Sequence, residues 1–262
     1  MNEDESTYFN LGISGDQDLT MKNYFAKFPE ELLASVIDSF VINKPMTGKV
    51  GGDGFWIHRD KSCLILALFD CQGHGHLASM MTRVYTQLLT KIVIEEEVND
   101  PGTILRYLHH KIVARVTITS DSKIKPSADV GLVKIDLDIR KIEYSGAKIN
   151  LLHVVDGKLF VVKADRMPVG DYLEHPHEYE TCRIKLKNVL GSSNFYLASD
   201  GFGDLMGGED SKRLGKRTVE QTLLESSGKE MVAQKKFLES FIDGFQGNSM
   251  QLDDLLLIGF SL

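Results

Sequence analysis

The chain has 262 residues, 42% hydrophobic and 26% charged, with a net charge of −7. That length allows one large domain or two small ones with a sizeable core, and the acidic balance argues against a nucleic-acid binder, which needs cations to neutralise phosphates. Three cysteines, Cys63, Cys71 and Cys182, give no disulfide framework and read as reduced cytoplasmic thiols. No apolar run approaches the roughly 20 residues of a membrane helix.

In chain order, residues 1–28 begin acidic, with Met1-Asn2-Glu3-Asp4-Glu5, and are expected to form a mobile arm ahead of one domain over 29–262. From Pro29 the positions Leu32, Leu33, Val36, Ile37 and Phe40 recur at helical spacing, with Glu30 and Glu31 at the positive end; the helix should stop before Asn43. After the permissive stretch Gly51-Gly52-Asp53-Gly54, Ser62 to Phe69 is a short apolar run that reads as a buried strand. Helices are expected from His76 to about Ile94 and from Pro101 to about Val116. Strands then follow at Val130–Leu137, Lys141–Tyr144, Asn150–Val155, Lys158–Lys163, His177–Leu186 and Phe195–Ser199, with Asp156-Gly157 marking a hairpin. Two more helices, Thr218–Glu225 and Lys229–Phe245, precede a last strand, Leu255–Phe260. The order predicts one α+β domain with mostly antiparallel strands.

The informative residues are aspartates at strand ends. Asp70 follows Ser62–Phe69, Asp200 follows Phe195–Ser199, Asp253 and Asp254 precede Leu255–Phe260, and Asp53 precedes Phe55-Trp56-Ile57. Each alone is as readily a turn former or cap. Gathered at one sheet edge they would repel one another unless a cation filled the site. Oxygen-only ligands suit Mg²⁺ or Mn²⁺. Glycines flank three of these sites, at Gly52 and Gly54, Gly73 and Gly75, and Gly201 and Gly203, where close backbone approach or positive φ is expected.

KVGGDGFWI, FDCQGHGHLASMM, SDGFGDLMGG and QLDDLLLIGF occur in that order and resemble the four signature blocks of the SpoIIE-type branch of the PPM metal-dependent protein phosphatases. SGAKINLLHV and RMPVGD also look like segments of that family. The resemblance runs from about Pro29 to the C-terminus. It implies an αββα sandwich of two antiparallel sheets flanked by helices. It further implies a Mn²⁺ or Mg²⁺ centre of two ions that activates a water to hydrolyse phosphoserine or phosphothreonine. Asp53, Asp70, Asp200 and Asp253 would be catalytic, with the Cys71 carbonyl as a further metal ligand; Asp253 is preferred to Asp254. Asp129 resembles an acidic residue used by some relatives for an additional, weaker metal. Closest in character are bacterial regulatory members that act on anti-sigma factor antagonists, so a phosphorylated regulator of that type is the expected partner, with a homodimer as a further expectation. The helix near Pro29–Phe40, by its position just ahead of Asp53, is expected to couple a partner or dimer interface to the metal site. The alternative is a catalytically silent pseudophosphatase acting as a binding module; its mark, a lost metal aspartate, is absent.

Other features weigh less. Cys71, His74 and His76 share one turn but lack a second ligand pair at zinc spacing. Lys49 is the phosphate-binding cation suggested by proximity in sequence alone. Lys212, Arg213, Lys216 and Arg217 read as a solvated loop, or as a docking surface for an acidic phosphoprotein. His109 and His110 read as surface or core residues of a helix, and Trp56 as a core residue.

Overall fold

The computed structural model describes residues 29–46, 51–73, 76–117, 126–171, 177–186 and 193–262. The expected arm over 1–28, Lys49 and His74 lie outside them, as does the side chain of His76.

Helix α1 (Pro29–Val36) leads into strand β1 (Ser39–Lys44). Then come β2 (Asp53–Asp60), β3 (Cys63–Cys71) and α2 (His76–Thr90), which runs on as a π-helical turn, Lys91–Glu95. Next are α3 (Pro101–Thr117), β4 (Ala128–Asp136), β5 (Lys141–Ala147), β6 (Leu151–Val155), β7 (Lys158–Val162), β8 (Cys182–Lys185) and β9 (Asn194–Ala198). The chain ends with α4 (Gly201–Asp204), the short pair β10 (Met206–Gly207) and β11 (Lys212–Arg213), α5 (Lys216–Ser226), α6 (Met231–Gln246) and β12 (Leu255–Ser261).

Two five-stranded antiparallel sheets form the centre, ordered β1-β12-β9-β6-β7 and β2-β3-β4-β5-β8. Alternation along each strand sends one set of side chains between the sheets and the other toward helices. Phe55, Ile57, Leu64, Leu66, Leu68 and Val133 meet Val41, Leu197, Leu256 and Ile258 between the sheets. Trp56, Phe69 and Val130 pack instead on α2 and α3 through Tyr85, Leu88 and Leu108. Ile42, Tyr196 and Leu257 pack on α5 and α6 through Leu223, Leu238 and Ile242. The expected αββα sandwich is the observed architecture. Trp56 is fully buried, its indole N–H donating to Thr90 Oγ1 at 3.0 Å.

Of the boundaries that differ from expectation, three have a plain physical reason. The first helix stops at Val36, and Phe40 lies in β1, paired with Gly259. Phe40 and Val41 face opposite cores, so a strand buried on both sides continues the apolar run of the helix. The strand expected at Ser62–Phe69 carries on through Asp70 and Cys71, because these pair with Asp129 and Ala128 of β4. The His177–Leu186 expectation shrinks to Cys182–Lys185, where β5 offers partners. The hairpin at Asp156-Gly157 forms as expected, both residues having the positive φ of a type I′ turn, 51° and 67°.

Candidate metal centre

Strand register builds the site. Asp53 of β2 stands opposite Asp70 of β3, and Asp70 stands opposite Asp129 of β4. Directly opposed residues share a face, so three carboxylates form a row at one end of the inter-sheet face. Like charges so placed destabilise a sheet. The other sheet closes on the same end: β9 delivers Ser199 and Asp200, and the approach to β12 delivers Asp253 and Asp254.

Ser199 joins the two sheets. Its hydroxyl donates to Asp53 Oδ2 at 2.6 Å and accepts from the Leu256 N–H at 3.0 Å. Asp253 and Asp254 divide by role. Asp254 is buried and accepts from the N–H groups of Met46 at 2.7 Å and Gly52 at 2.6 Å, so it holds the segment entering β2. Asp253 is half-buried and lines an acidic cleft of about 470 Å³ with Asp70, Asp129 and Asp200.

The glycines serve close packing more than unusual torsion. A Cβ on Gly51 would overlap the Asp254 carboxyl, and one on Gly201 would overlap the Asp254 carbonyl. At Gly52 it would lie 2.8 Å from the Cys71 carbonyl oxygen. Of the flanking glycines described, Gly73 alone has positive φ, 99°.

Burial pushes the Asp53 carboxyl up to about 7, with the Ser199 bond opposing and Asp254, Asp253 and Asp200 adding to the rise. Asp70 is pushed up to about 9, by burial first and then by Asp53, Asp200, Asp129 and Asp253. Asp129 is also raised by burial, against the opposing pull of Lys148, whose ammonium lies 3.1 Å away. Asp253 is raised by burial and by its acidic neighbours. The cleft carries five carboxylates, Asp70, Asp129, Asp171, Asp200 and Asp253, against two cations, Lys148 and Arg166, while Asp53, buried opposite Asp70, is not in its lining. Its charged donors are all oxygens, and its excess is negative. That set fits a hard divalent cation. Among the described residues no three acidic, histidine or cysteine side chains are already closed into a metal cage.

The Cys71 thiol is not part of this cleft. It is buried beneath Thr82, 3.9 Å from that hydroxyl, and burial pushes it well above the usual thiol range. A thiolate nucleophile needs the opposite environment, and the inward-turned sulfur also argues against the zinc reading. His109 is a core residue whose Nδ1 accepts the Gly170 N–H at 3.2 Å. Lys212, Arg213 and Lys216 pair with Asp210, Asp204 and Glu220, as a solvated loop would. Sequence reasoning missed Lys148 and Arg166. Both lie in segments with a visible signal, SGAKINLLHV and RMPVGD, and Lys148 takes a left-handed φ of 65° in the β5–β6 turn that aims the chain back past Asp129.

The model of the family described as "Stage II sporulation protein E (SpoIIE)" matches residues 60–262. No curated protein sequence matches the chain. Among solved structures, the chain is similar to the SiaA-PP2C domain of Pseudomonas aeruginosa, with 25% identity over 95% of this chain and 96% of that one and a TM-score of 0.80. It shares its fold with the PP2C phosphatase domain and regulatory fragment of SpoIIE from Bacillus subtilis, at 16% identity over 86% of this chain and 63% of that one, TM-score 0.66. RsbX in complex with magnesium matches at 18% identity over 86% and 94% of the two chains, TM-score 0.59.

Proposed function

The chain belongs to the SpoIIE family and has the PP2C-type phosphatase fold, and from that premise we propose that it is a Mn²⁺- or Mg²⁺-dependent phosphatase of phosphoserine and phosphothreonine. The observation that carries this reading is the row Asp53–Asp70–Asp129, of which Asp70 and Asp129 line one acidic cleft with Asp200 and Asp253 of the opposite sheet. Asp53, Asp70, Asp200 and Asp253 would hold the metal, with the Cys71 carbonyl as an additional ligand. Asp129 would serve a weaker site. Bound there, divalent ions would acidify a water and neutralise charge developing on the phosphoryl oxygens.

The chain's own residues do the positioning. Ser199 fixes the Asp53 carboxylate, and Asp254 fixes the backbone from Met46 to Gly52. Arg166 and Lys148 stand at the cleft with donors suited to phosphoryl oxygens. No side-chain nucleophile is required, which accords with the buried Cys71 thiol. No metal aspartate is missing, which favours an enzyme over a silent binding module.

The substrate proposed is a phosphorylated bacterial regulator of the anti-sigma factor antagonist type. A solved structure containing RsbU and RsbW domains and one from the bacterial stressosome are among the matching folds; they support a regulatory partner by analogy alone. We place the phosphatase domain over 29–262, preceded by the acidic arm, in a cytoplasmic protein that dimerises. Among the described residues no helix is long and apolar enough to cross a membrane. The experiment is to incubate the chain and Mn²⁺ with phosphorylated candidate regulators and weigh the products by mass spectrometry. Loss of phosphate from one of them is expected; unchanged masses throughout would count against the substrate class.

A further inference from the structure

A second cleft, of about 400 Å³, lies against the acidic one and shares Asp129, Lys148 and Asp200 with it. It opens between the end of the β6–β9 pair, α4 and the first turns of α5. Its chemistry differs from that of its neighbour. Ile149, Leu152, Phe202 and Val219 give it apolar walls. Six of the seven charged groups in its lining are paired with one another, Arg213 with Asp204 at 2.9 Å, Lys216 with Glu220 at 3.8 Å, and Lys148 with Asp129; the seventh, Asp200, is a carboxylate shared with the acidic cleft. A rim so neutralised offers little to a second phosphate or to a carboxylate. The apolar walls do offer burial to a hydrocarbon side chain. Apolar walls under a polar rim are a form a specificity site takes, the walls supplying burial and the rim fixing orientation.

We infer that this cleft takes an apolar side chain of the phosphoprotein substrate, within about three residues of the phosphorylated serine or threonine. The inference rests on the phosphatase reading above. The short reach follows from the shared wall: the two clefts have Asp129, Lys148 and Asp200 in common, and an extended chain advances about 3.3–3.6 Å per residue. The apolar contact acts on the same complex that undergoes hydrolysis, so it contributes to kcat/KM for peptides. A small aryl phosphate, which has no flanking chain, does not use it.

Gly203 gives a clean probe. It lines the cleft, and a Cβ built there meets nothing nearer than 4.0 Å, the Lys216 backbone nitrogen. Gly203→Leu therefore adds a side chain to the wall of the cleft from a Cβ position that no protein atom crowds. The experiment measures kcat/KM of the full chain with Mn²⁺ on an aryl phosphate and on phosphopeptides carrying leucine or lysine at each of the three positions on either side of the phosphoserine. At one position leucine is expected to exceed lysine by at least about tenfold, as discrimination by a hydrophobic pocket allows. Gly203→Leu is expected to abolish that preference while leaving aryl phosphate turnover within about twofold of wild type. As a second variant, Val219→Lys should move the preference at that position toward glutamate, because it sets an ammonium in the apolar wall. Aryl phosphate turnover with no flanking preference at any position would overturn the inference and leave the phosphatase reading standing. A preference that survives both variants would overturn it equally. So would a change of oligomer size in Gly203→Leu with peptide preference unaltered, since a second copy of the chain would then be the occupant. Absence of turnover on every substrate would overturn the phosphatase reading and this inference with it.

Discussion

Replacing Asp70 by asparagine should stabilise the chain in chelator and remove its stabilisation by Mn²⁺. Asp70 stands between Asp53 and Asp129 in the cross-strand row, and its carboxyl is pushed up to about 9 by burial and by those neighbours. A carboxyl raised in the folded state destabilises the fold at every pH above its unfolded value. The penalty grows from about pH 4 and levels off near pH 9. At about 1.36 kcal/mol per unit the ceiling at pH 8 is about 5–6 kcal/mol. Water entering the half-open cleft screens the charges and reduces this to about 2–4 kcal/mol. Asparagine keeps the shape and removes the charge, so the Tm in chelator should rise by about 5–15 °C at pH 8. The gain should shrink as the pH is lowered toward 5. With Mn²⁺ at a hundredfold excess over its Kd, the wild type should gain about 2.7 kcal/mol and the variant almost none. Thermal unfolding with and without chelator, at pH 5 and 8, checks all of this. A lower Tm for Asp70→Asn in chelator at pH 8, or an undiminished metal shift, would refute the reasoning.

Asp253→Asn should abolish the Mn²⁺-induced rise in Tm, whereas Asp254→Asn should lower stability in chelator by about 1–3 kcal/mol and retain most of the metal shift, since Asp254 serves the Met46 and Gly52 amides; calorimetry in both conditions distinguishes them. Ser199→Ala removes the bond that lowers the Asp53 carboxyl and leaves the Leu256 amide unpaired, so stability should fall by about 1–3 kcal/mol and the pH midpoint for Mn²⁺ binding should move upward. A downward midpoint would contradict the role given to Ser199. Cys71→Ser should retain turnover within a few-fold, and alkylation of the folded chain should label the exposed Cys182 and spare Cys71. Peptide mapping reads this directly, and inactivation coupled to Cys71 labelling would contradict it.

The sheets and helices were readable where one face carried the pattern. Ser62–Phe69 and Leu255–Phe260 declared themselves as apolar runs, and the Asp156-Gly157 turn by its residues. Phe40 was hidden because β1 is buried on both faces and so prolongs the helical run before it. The aspartates were legible as strand ends, yet the row was not. It depends on the register of β2 against β3 and of β3 against β4, and pairing partners leave no local trace in composition. For the same reason Asp129 stood out weakly until Asp70 was seen opposite it. Asp254 could not be separated from Asp253 by sequence, because the two differ in the backbone amides they meet some 200 residues away in the chain. Lys148 and Arg166 come from turns whose direction, rather than whose residue type, brings them to the cleft.

The most direct test of the whole account is phosphate release from a phosphoserine protein by the wild-type chain with Mn²⁺, by the same chain in chelator, and by Asp200→Asn with Mn²⁺. Turnover is expected in the first case and a loss of at least about a hundredfold in the other two. Equal rates in all three would contradict it.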